Sequence, residues 1–452
     1  MAVRLVVIGG GPAGNTAASV AATLGAEVTL VERDVIGGAA HLWDCIPSKA
    51  LIATGAELTE LGRARGMGLE AEGRLDIGAL KERVAFIEDR LHRSVLDLLE
   101  SQRVHMVAGT ARLKGPHEIV VDTATGIEEL EADFVLLATG SQPRVPDFAR
   151  VDGERVLTTR QAYPPPEIPE HAVVIGSGVT GVEFTHMLQA LGSRVTLIVS
   201  RHHVLPIKDP EVATVLEEAF LERGVALLKG ARAETIGREG DVVRVRCVDG
   251  RIVEGSHVVL AVGSIPNSDG LGLEEAGVEV DEGGYIPINR HCQANLAHVY
   301  AAGDLSGKLP LSSVAAMQGR KIAEHIMGLH GRPHRHLAYD KAASAVFTDP
   351  EIADVGLAEA EAFAEGRKIR VTKVPFSANA KALIKDDPRG FVKIISDPAT
   401  GVVLGGSIVG RNAAELVSVL AVAVTNSLTV VDIVDSLLVH PTLSESLADA
   451  AS

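Results

Sequence analysis

A chain of 452 residues, 46% of them hydrophobic, is long enough for two to four domains of ordinary size. Its formal net charge of −16, without any long run of lysine and arginine, argues against nucleic acid as a partner. Three cysteines are too few for a secreted disulfide framework. The most apolar late stretch, 417–438, contains Asn426, Asp432 and Asp435, which argues against a transmembrane segment. The composition therefore predicts a cytoplasmic protein.

The chain opens with a strand, a glycine loop, a helix and a second strand. The strand Arg4–Ile8 leads into Gly9-Gly-Gly-Pro-Ala-Gly14, and the second strand ends at Glu32. In a G-x-G-x-x-G loop the first glycine makes the turn, the second admits a pyrophosphate, and the third lets the helix pack on the strand. Glu32 can accept a hydrogen bond from a ribose 2′-hydroxyl, which suits FAD or NAD. The segment predicts a dinucleotide site.

The next segment contains a cysteine in a setting that favours reactivity. Cys45 is followed by Ile-Pro-Ser-Lys, in which Pro47 is typical of the first turn of a helix. A cysteine at a helix N-terminus tends towards the thiolate, and Lys49 lies one helical turn further along. We therefore interpret Cys45 as a reactive thiol rather than as a buried apolar residue.

The middle of the chain predicts packing elements and a linker. An amphipathic helix that serves packing is indicated by Val84, Ile87, Leu91, Val95 and Leu98. A strand over 134–138 leads into Thr139-Gly140-Ser141, and Pro164-Pro-Pro166 predicts a linker.

A second strand–loop–helix–strand unit follows the linker in the same register as the first. Its loop is Gly176-Ser-Gly-Val-Thr-Gly181. At the position of Glu32 this unit has Val199, followed by Ser200, Arg201 and His202. No carboxylate is present to repel a 2′-phosphate, and Arg201 can bind one through charge-assisted bonds. The unit therefore predicts a nicotinamide nucleotide site that accepts NADPH at least as well as NADH.

The last third of the chain predicts a further strand and a separate domain. The strand Val299–Ala301 leads into Ala302-Gly303-Asp304, and from about Lys341 strands and helices alternate without a glycine loop. Near the C-terminus, Pro441 is expected to start a helix with His440 just before it. Glu445 could hold one imidazole nitrogen and leave the other as a proton carrier.

Together these motifs resemble the pyridine-nucleotide–disulfide oxidoreductases, the family of dihydrolipoyl dehydrogenase and glutathione reductase. The resemblance runs end to end and rests on the two glycine loops, Cys45-Ile-Pro-Ser-Lys49, Ala138-Thr-Gly-Ser141, Glu183, Ala302-Gly-Asp304 and His440-Pro-Thr-Leu-Ser-Glu445. It implies an α/β fold with two Rossmann-like dinucleotide-binding domains and a C-terminal α+β dimerisation domain. The implied domains are an FAD-binding domain (1–150), an NAD(P)-binding domain (151–268), a return segment that completes the FAD domain (269–338) and a dimerisation domain (339–452).

The resemblance also implies the site residues. The FAD set is Gly9, Gly11, Pro12, Ala13, Gly14, Glu32, Arg33, Gly38, Ala39, Lys49, Thr139, Gly140, Gly303 and Asp304. The NAD(P) set is Gly176, Gly178, Val179, Thr180, Gly181, Glu183, Ser200, Arg201, His202 and Gly263. The catalytic set is Cys45, Lys49, Glu183, His440 and Glu445, and no metal is expected. Lys49 would sit near the flavin N5, paired with Glu183, and His440 would reach the flavin site of the other subunit of a homodimer.

One departure from the family pattern decides the expected chemistry. The family's redox disulfide joins two cysteines, and the first of that pair is Ala40 here. The same variation is typical of a branch that resembles NAD(P)H:quinone oxidoreductases. We therefore expect an FAD-dependent enzyme that passes hydride from NAD(P)H through the flavin to a quinone or similar acceptor. Two alternatives are a dihydrolipoyl dehydrogenase with an unrecognised second thiol and a flavoprotein subunit without catalysis.

Overall fold

The computed structural model describes residues 2–165, 167–329 and 336–452. Pro166 of the predicted linker and residues 330–335 of the predicted return segment lie outside them. The strands among these residues are β1 (Arg4–Ile8), β2 (Glu27–Glu32), β3 (His105–Leu113), β4 (Glu118–Thr123), β5 (Gly126–Glu131), β6 (Phe134–Leu137), β7 (Ser141–Pro143), β8 (Val156–Thr158), β9 (His171–Ile175), β10 (Arg194–Val199), β11 (Ala226–Lys229), β12 (Ala233–Glu239), β13 (Val242–Cys247), β14 (Ile252–Gly255), β15 (His257–Leu260), β16 (Ser264–Pro266), β17 (Val299–Ala301), β18 (Ser344–Val346), β19 (Glu351–Gly356), β20 (Arg370–Pro375), β21 (Phe391–Ser396) and β22 (Val403–Gly410).

The α-helices of the described residues are α1 (Pro12–Thr23), α2 (Gly38–Leu42), α3 (Ile46–Arg63), α4 (Ile77–Ser101), α5 (Val179–Ala190), α6 (Pro210–Glu222), α7 (Leu273–Ala276), α8 (Ser312–Ile326), α9 (Glu359–Ala364), α10 (Ala380–Ile384), α11 (Ala413–Asn426), α12 (Val430–Val434) and α13 (Glu445–Ala451). They divide with the strands into two compact units. The first unit comprises 1–48, 81–144 and 264–339, and the second comprises 49–80, 145–263 and 340–452.

The first unit is built on a seven-stranded sheet in the order β17-β6-β1-β2-β3-β4-β5. The strands from β17 to β3 are parallel, and β4 and β5 continue the sheet in antiparallel pairing. β1 lies between β2 and β6 and is buried along Leu5–Ile8. Because β1, β6 and β17 run in the same direction, the loops that follow them open at one edge of the sheet, where ligands of such folds bind.

The second unit contains a parallel sheet and an antiparallel sheet. The parallel sheet has the order β11-β10-β9-β15-β8, and the antiparallel sheet has the order β18-β19-β22-β21-β20. A three-stranded antiparallel sheet, β12-β13-β14, lies in the same unit. Alternating burial along β13, in which Cys247 is fully buried, fits a strand with one face on the core.

The two largely parallel sheets and the C-terminal antiparallel sheet confirm the predicted α/β fold class, with two Rossmann-like domains and a C-terminal α+β domain. The three boundaries between the four segments predicted from the sequence stay a prediction. The amphipathic helix lies within α4, where Val84 is buried but Leu98 is exposed. Its neighbour Leu99 takes the buried position, because a long helix turns gradually away from a strict three- and four-residue pattern.

The apolar stretch 417–438 folds into the buried face of α11 and into α12, with Leu420 and Ile433 in the core. Among the described residues, the helices are all too short or too polar to cross a bilayer.

Candidate active site

The first glycine loop has the geometry of a diphosphate cradle. A Cβ on Gly14 would lie 1.8 Å from the carbonyl oxygen of Gly9, so a side chain there would force α1 off the loop. Gly9 itself has a φ of +103°, a region that favours glycine. Gly11 is extended (φ −68°, ψ −173°), and a Cβ there would meet no atom within 4 Å. The space in front of the N-terminus of α1 is therefore open to an anionic ligand.

The second glycine loop repeats this geometry. A Cβ on Gly181 would lie 1.8 Å from the carbonyl oxygen of Gly176, whose φ is +112°. Gly178 is extended (φ −74°, ψ −173°) and, like Gly11, has no atom within 4 Å of the Cβ position. Val179 and Thr180, in the first turn of α5, are exposed. Two loops of matching conformation, each at a helix N-terminus, fit two dinucleotides.

Glu32 closes the first loop from the end of β2. Its Oε2 accepts a hydrogen bond from the backbone N–H of Gly10 at 2.7 Å, and its Oε1 accepts one from Asp34 N–H at 2.9 Å. The carboxylate is thereby held at the loop with lone pairs left for a ribose hydroxyl. The neighbouring Arg33 is exposed and pairs with Asp34.

The segment after β2 approaches the same loop. A Cβ on Gly38 would lie 3.0 Å from the Cα of Gly11, and Gly38 has a φ of +61°. Ala39 follows in α2, a helix that the sequence did not predict. The structure thus brings Gly38 to the first glycine loop.

Asp304 lies at the edge of the sheet onto which the loops of β6 and β17 open. Ser141 Oγ donates a hydrogen bond to Asp304 Oδ2 at 2.6 Å. Gly303 N–H donates to Oε1 of Gln318, a fully buried residue of α8, at 2.7 Å. Gln318 was missed by sequence reasoning because it lies 15 positions from Gly303; its only signal is a polar residue on the buried face of a helix.

A second pair of bonds ties the loop after β6 to the segment after β16. Thr139 Oγ1 donates to the carbonyl of Asn267 at 2.7 Å, and Asn267 Nδ2 donates to the carbonyl of Thr139 at 2.8 Å. Asn267 N–H donates to the carbonyl of Gly140 at 3.0 Å. The reciprocal bonds fix the backbone of the two predicted FAD residues, and Asn267 is a further residue that the sequence did not single out.

All three cysteines are free thiols. Cys45 is half-buried directly before α3, with Sγ 3.6 Å from Ser312 Oγ, and Ala40 lies in α2. Cys247 and Cys292 are buried, and burial raises the pKa of both, that of Cys292 to about 11. A buried, protonated thiol is a poor nucleophile, so neither is suited to replace the missing redox cysteine.

Lys49 and Glu183 form an ion pair, as the resemblance implies. Lys49 Nζ lies 2.9 Å from Glu183 Oε2, and the Glu183 side chain is only 5% exposed. Glu183 Oε1 accepts a hydrogen bond from Phe347 N–H at 2.9 Å, and the Phe347 ring centroid lies 4.8 Å from Lys49 Nζ. Phe347 follows β18 and was missed because nothing in its local sequence marks it.

His440 and Glu445 are also hydrogen-bonded. The distance from His440 Nδ1 to Glu445 Oε1 is 2.7 Å, and Thr442 N–H donates to Glu445 Oε2 at 2.8 Å. Both bonds lower the pKa of Glu445, the Thr442 bond more strongly. The expectation that Pro441 starts a helix is wrong, because α13 begins at Glu445. The residues before it form a turn instead, in which Thr442 Oγ1 donates to the carbonyl of Val439 and Thr442 N–H donates to the Glu445 side chain.

The residues of the predicted NAD(P) set that lie outside α5 and its glycine loop are exposed. Ser200, Arg201, His202 and Gly263 are all at the surface of the second unit, and Val199 is buried. Among the described residues one trio has metal-like spacing, namely Asp209, Glu211 and Glu359. Lys393 donates hydrogen bonds to all three carboxylates, so an ammonium group takes the place that a cation would need.

Known proteins share the sequence and fold of this chain over almost its whole length. Residues 3–319 match the family described as pyridine nucleotide-disulphide oxidoreductase, and residues 342–451 match its dimerisation domain, which supports a homodimer. The chain is 43% identical to an NAD(P)H dehydrogenase (quinone) of Mycobacterium tuberculosis over all of this chain and 94% of that one. It is 36% identical to a dihydrolipoyl dehydrogenase of Haloferax volcanii, with 99% and 95% covered. The crystal structure of LpdA from Mycobacterium tuberculosis superposes with a TM-score of 0.94 at 42% identity, covering 99% of each chain.

Proposed function

Because this chain belongs to the pyridine nucleotide-disulphide oxidoreductases and is therefore an oxidoreductase that uses FAD and NAD(P)H, we propose that it is an NAD(P)H:quinone oxidoreductase that works without a redox disulfide. The observation that carries the proposal is the single accessible thiol. Ala40 stands where the pair to Cys45 is expected, and the other two cysteines are buried. A two-thiol cycle therefore lacks its second sulfur.

The proposed roles follow the contacts of each group. Bound FAD supplies the redox chemistry, since it takes hydride equivalents from a nicotinamide and delivers them to an acceptor. The glycine loops hold the two dinucleotides, and Asp304 and Glu32 orient the FAD. Lys49 and Glu183 present a fixed charge pair at the nicotinamide site. His440 of the partner subunit, held at Nδ1 by Glu445, keeps Nε2 for a proton that the reduced quinone takes up. The cytoplasmic location stays a prediction.

Purified holoprotein is expected to reduce menadione-like quinones with NADPH, and Cys45→Ser is expected to retain most of that activity because no thiol relays electrons. Steady-state assays with quinones, dyes and dihydrolipoamide measure this. Cys292→Ser is the matched control for the loss of a sulfur away from the loop of Ala40. Equal rates with dihydrolipoamide and quinones would contradict the proposal.

The second candidate function is that of a dihydrolipoyl dehydrogenase, which the intact His440–Glu445 bond favours. Anaerobic titration of thiols before and after reduction with NADPH separates the two. We expect the same three thiols in both states. Two additional thiols after reduction would require a disulfide in the oxidised protein and would favour the second candidate.

Arg201 is expected to select the 2′-phosphate of NADPH. Arg201→Ala should raise the KM for NADPH relative to that for NADH by about 10-fold or more, because charge-assisted bonds to the phosphate are lost. Arg194→Ala is the matched control, since Arg194 is an exposed arginine at the opposite end of β10. An unchanged ratio of the two Michaelis constants in Arg201→Ala would contradict the proposal that Arg201 binds the 2′-phosphate.

A further inference from the structure

A single residue, Phe347, contacts both members of the Lys49–Glu183 ion pair. Glu183 uses Oε2 for Lys49 Nζ and Oε1 for the N–H of Phe347, each at 2.9 Å. A carboxylate that accepts from both sides has its plane fixed, because each oxygen points at its own donor. The backbone of Phe347 therefore sets the orientation of Glu183.

The side chain of the same residue contacts the other member of the pair. The Phe347 ring centroid lies 4.8 Å from Lys49 Nζ, within the range of a cation–π interaction. The Lys49 side chain is 31% exposed. A lysine side chain with that much contact with solvent keeps several rotamers unless a neighbouring group restrains it. The ring lies close enough to the Lys49 ammonium to supply such a restraint.

The segment that carries Phe347 is anchored two residues further on. Asp349 accepts hydrogen bonds from Arg63 at 2.6 Å, from Arg223 at 2.5 Å and from Arg389 at 2.8 Å. These arginines come from the end of α3, the residue after α6 and the segment before β21. The backbone of the segment is thus anchored close to Phe347.

We propose that Phe347 is a positioning residue, whose backbone N–H and ring together hold the Lys49–Glu183 pair in the geometry used at the nicotinamide site. The proposal rests on the use of that pair under the proposed function but not on the identity of the electron acceptor. In this proposal the half-buried aromatic ring acts electrostatically, because its face attracts the Lys49 ammonium.

The test replaces the ring and keeps the backbone N–H. Phe347→Leu, Phe347→Tyr and a 3,4,5-trifluorophenylalanine at position 347 are compared in the holoenzyme, with Phe363→Leu as the control for an exposed phenylalanine of the same unit. The fluorinated ring keeps the shape and weakens the attraction to a cation, so it stays informative even where Phe347→Leu fails to fold.

Two readouts are measured without any acceptor. The first is the rate at which Lys49 is acetylated by an N-hydroxysuccinimide ester, followed by peptide mass spectrometry. The second is the rate of flavin bleaching by NADPH in anaerobic stopped flow. Phe347→Leu and the trifluoro ring are expected to label Lys49 about 2–10-fold faster and to slow bleaching by a similar factor, whereas Phe347→Tyr should match the wild type.

Three results would overturn the proposal. One is unchanged Lys49 labelling in both Phe347→Leu and the trifluoro protein. Another is faster labelling in Phe347→Leu alone, which would mean that the ring acts only as a cover. The third is equal slowing in Phe363→Leu. A failure of quinone reduction would leave these readouts unaffected, so the two proposals fail separately.

Discussion

Gly11→Ala is expected to yield a folded protein that purifies without FAD and has no NAD(P)H-dependent activity. The backbone of Gly11 suits any residue, and no protein atom lies within 4 Å of the added Cβ. The methyl group therefore costs the fold little and occupies the space in which a pyrophosphate would approach the backbone. The ratio of flavin to protein absorbance and the far-UV circular dichroism spectrum measure the two effects.

Gly178→Ala is the counterpart in the second loop, with the same conformation and the same open space. It is expected to keep FAD and to weaken NADP⁺ binding by about 100-fold or more, as isothermal titration reports. Gly62→Ala, inside α3 and also without a neighbour near the Cβ, is the control and should keep both ligands. Full FAD content in Gly11→Ala would contradict the assignment of the first loop.

The second large effect is a loss of stability in mild acid that arises from His186. This residue lies in α5, is 1% exposed, and its Nδ1 has no hydrogen-bond partner among the described residues. Burial lowers its pKa from 6.5 to about 4; Arg223 and other nearby arginines act in the same direction, whereas Asp349 opposes them. The folded protein thus keeps this imidazole neutral where the unfolded chain protonates it.

Proton binding to the unfolded chain determines whether acid stabilises or destabilises the protein. Between pH 6.5 and about 4 the unfolded chain binds the proton and the folded protein does not, so the free energy of unfolding falls as the pH falls through this window. The full difference amounts to about 3 kcal/mol, complete below the folded pKa and absent above pH 6.5. Between pH 7.5 and pH 5 about 2 kcal/mol should therefore be lost through His186.

Urea unfolding at pH 7.5 and pH 5 measures the difference within each variant, which removes any effect of the substitution that does not depend on pH. His186→Leu should lose about 2 kcal/mol less than the wild type between the two pH values. His105→Leu, at an exposed position of β3, should behave as the wild type does. An equal loss in His186→Leu and in the wild type would show that other groups cause the pH dependence.

Local spacing in the sequence was sufficient to predict the two glycine loops. A Cβ on Gly14 or on Gly181 would meet the carbonyl oxygen of the first glycine of its own loop, so the requirement for glycine there is visible in the local order of residues. The absence of a sulfur at position 40 likewise needs no structure. The strands that apolar runs predict, such as β1 and β17, lie at the expected residues.

The hydrogen bonds that hold the site residues in place depended on the tertiary structure, because they join residues that are far apart in the chain. Phe347 is 164 positions from the Glu183 it orients, and Asn267 is 128 positions from Thr139. Backbone donors and buried amides of this kind carry no pattern in a single sequence, since any residue type supplies an N–H. The start of α13 at Glu445 rather than at Pro441 was likewise decided by hydrogen bonds that form only after the chain has turned at Thr442.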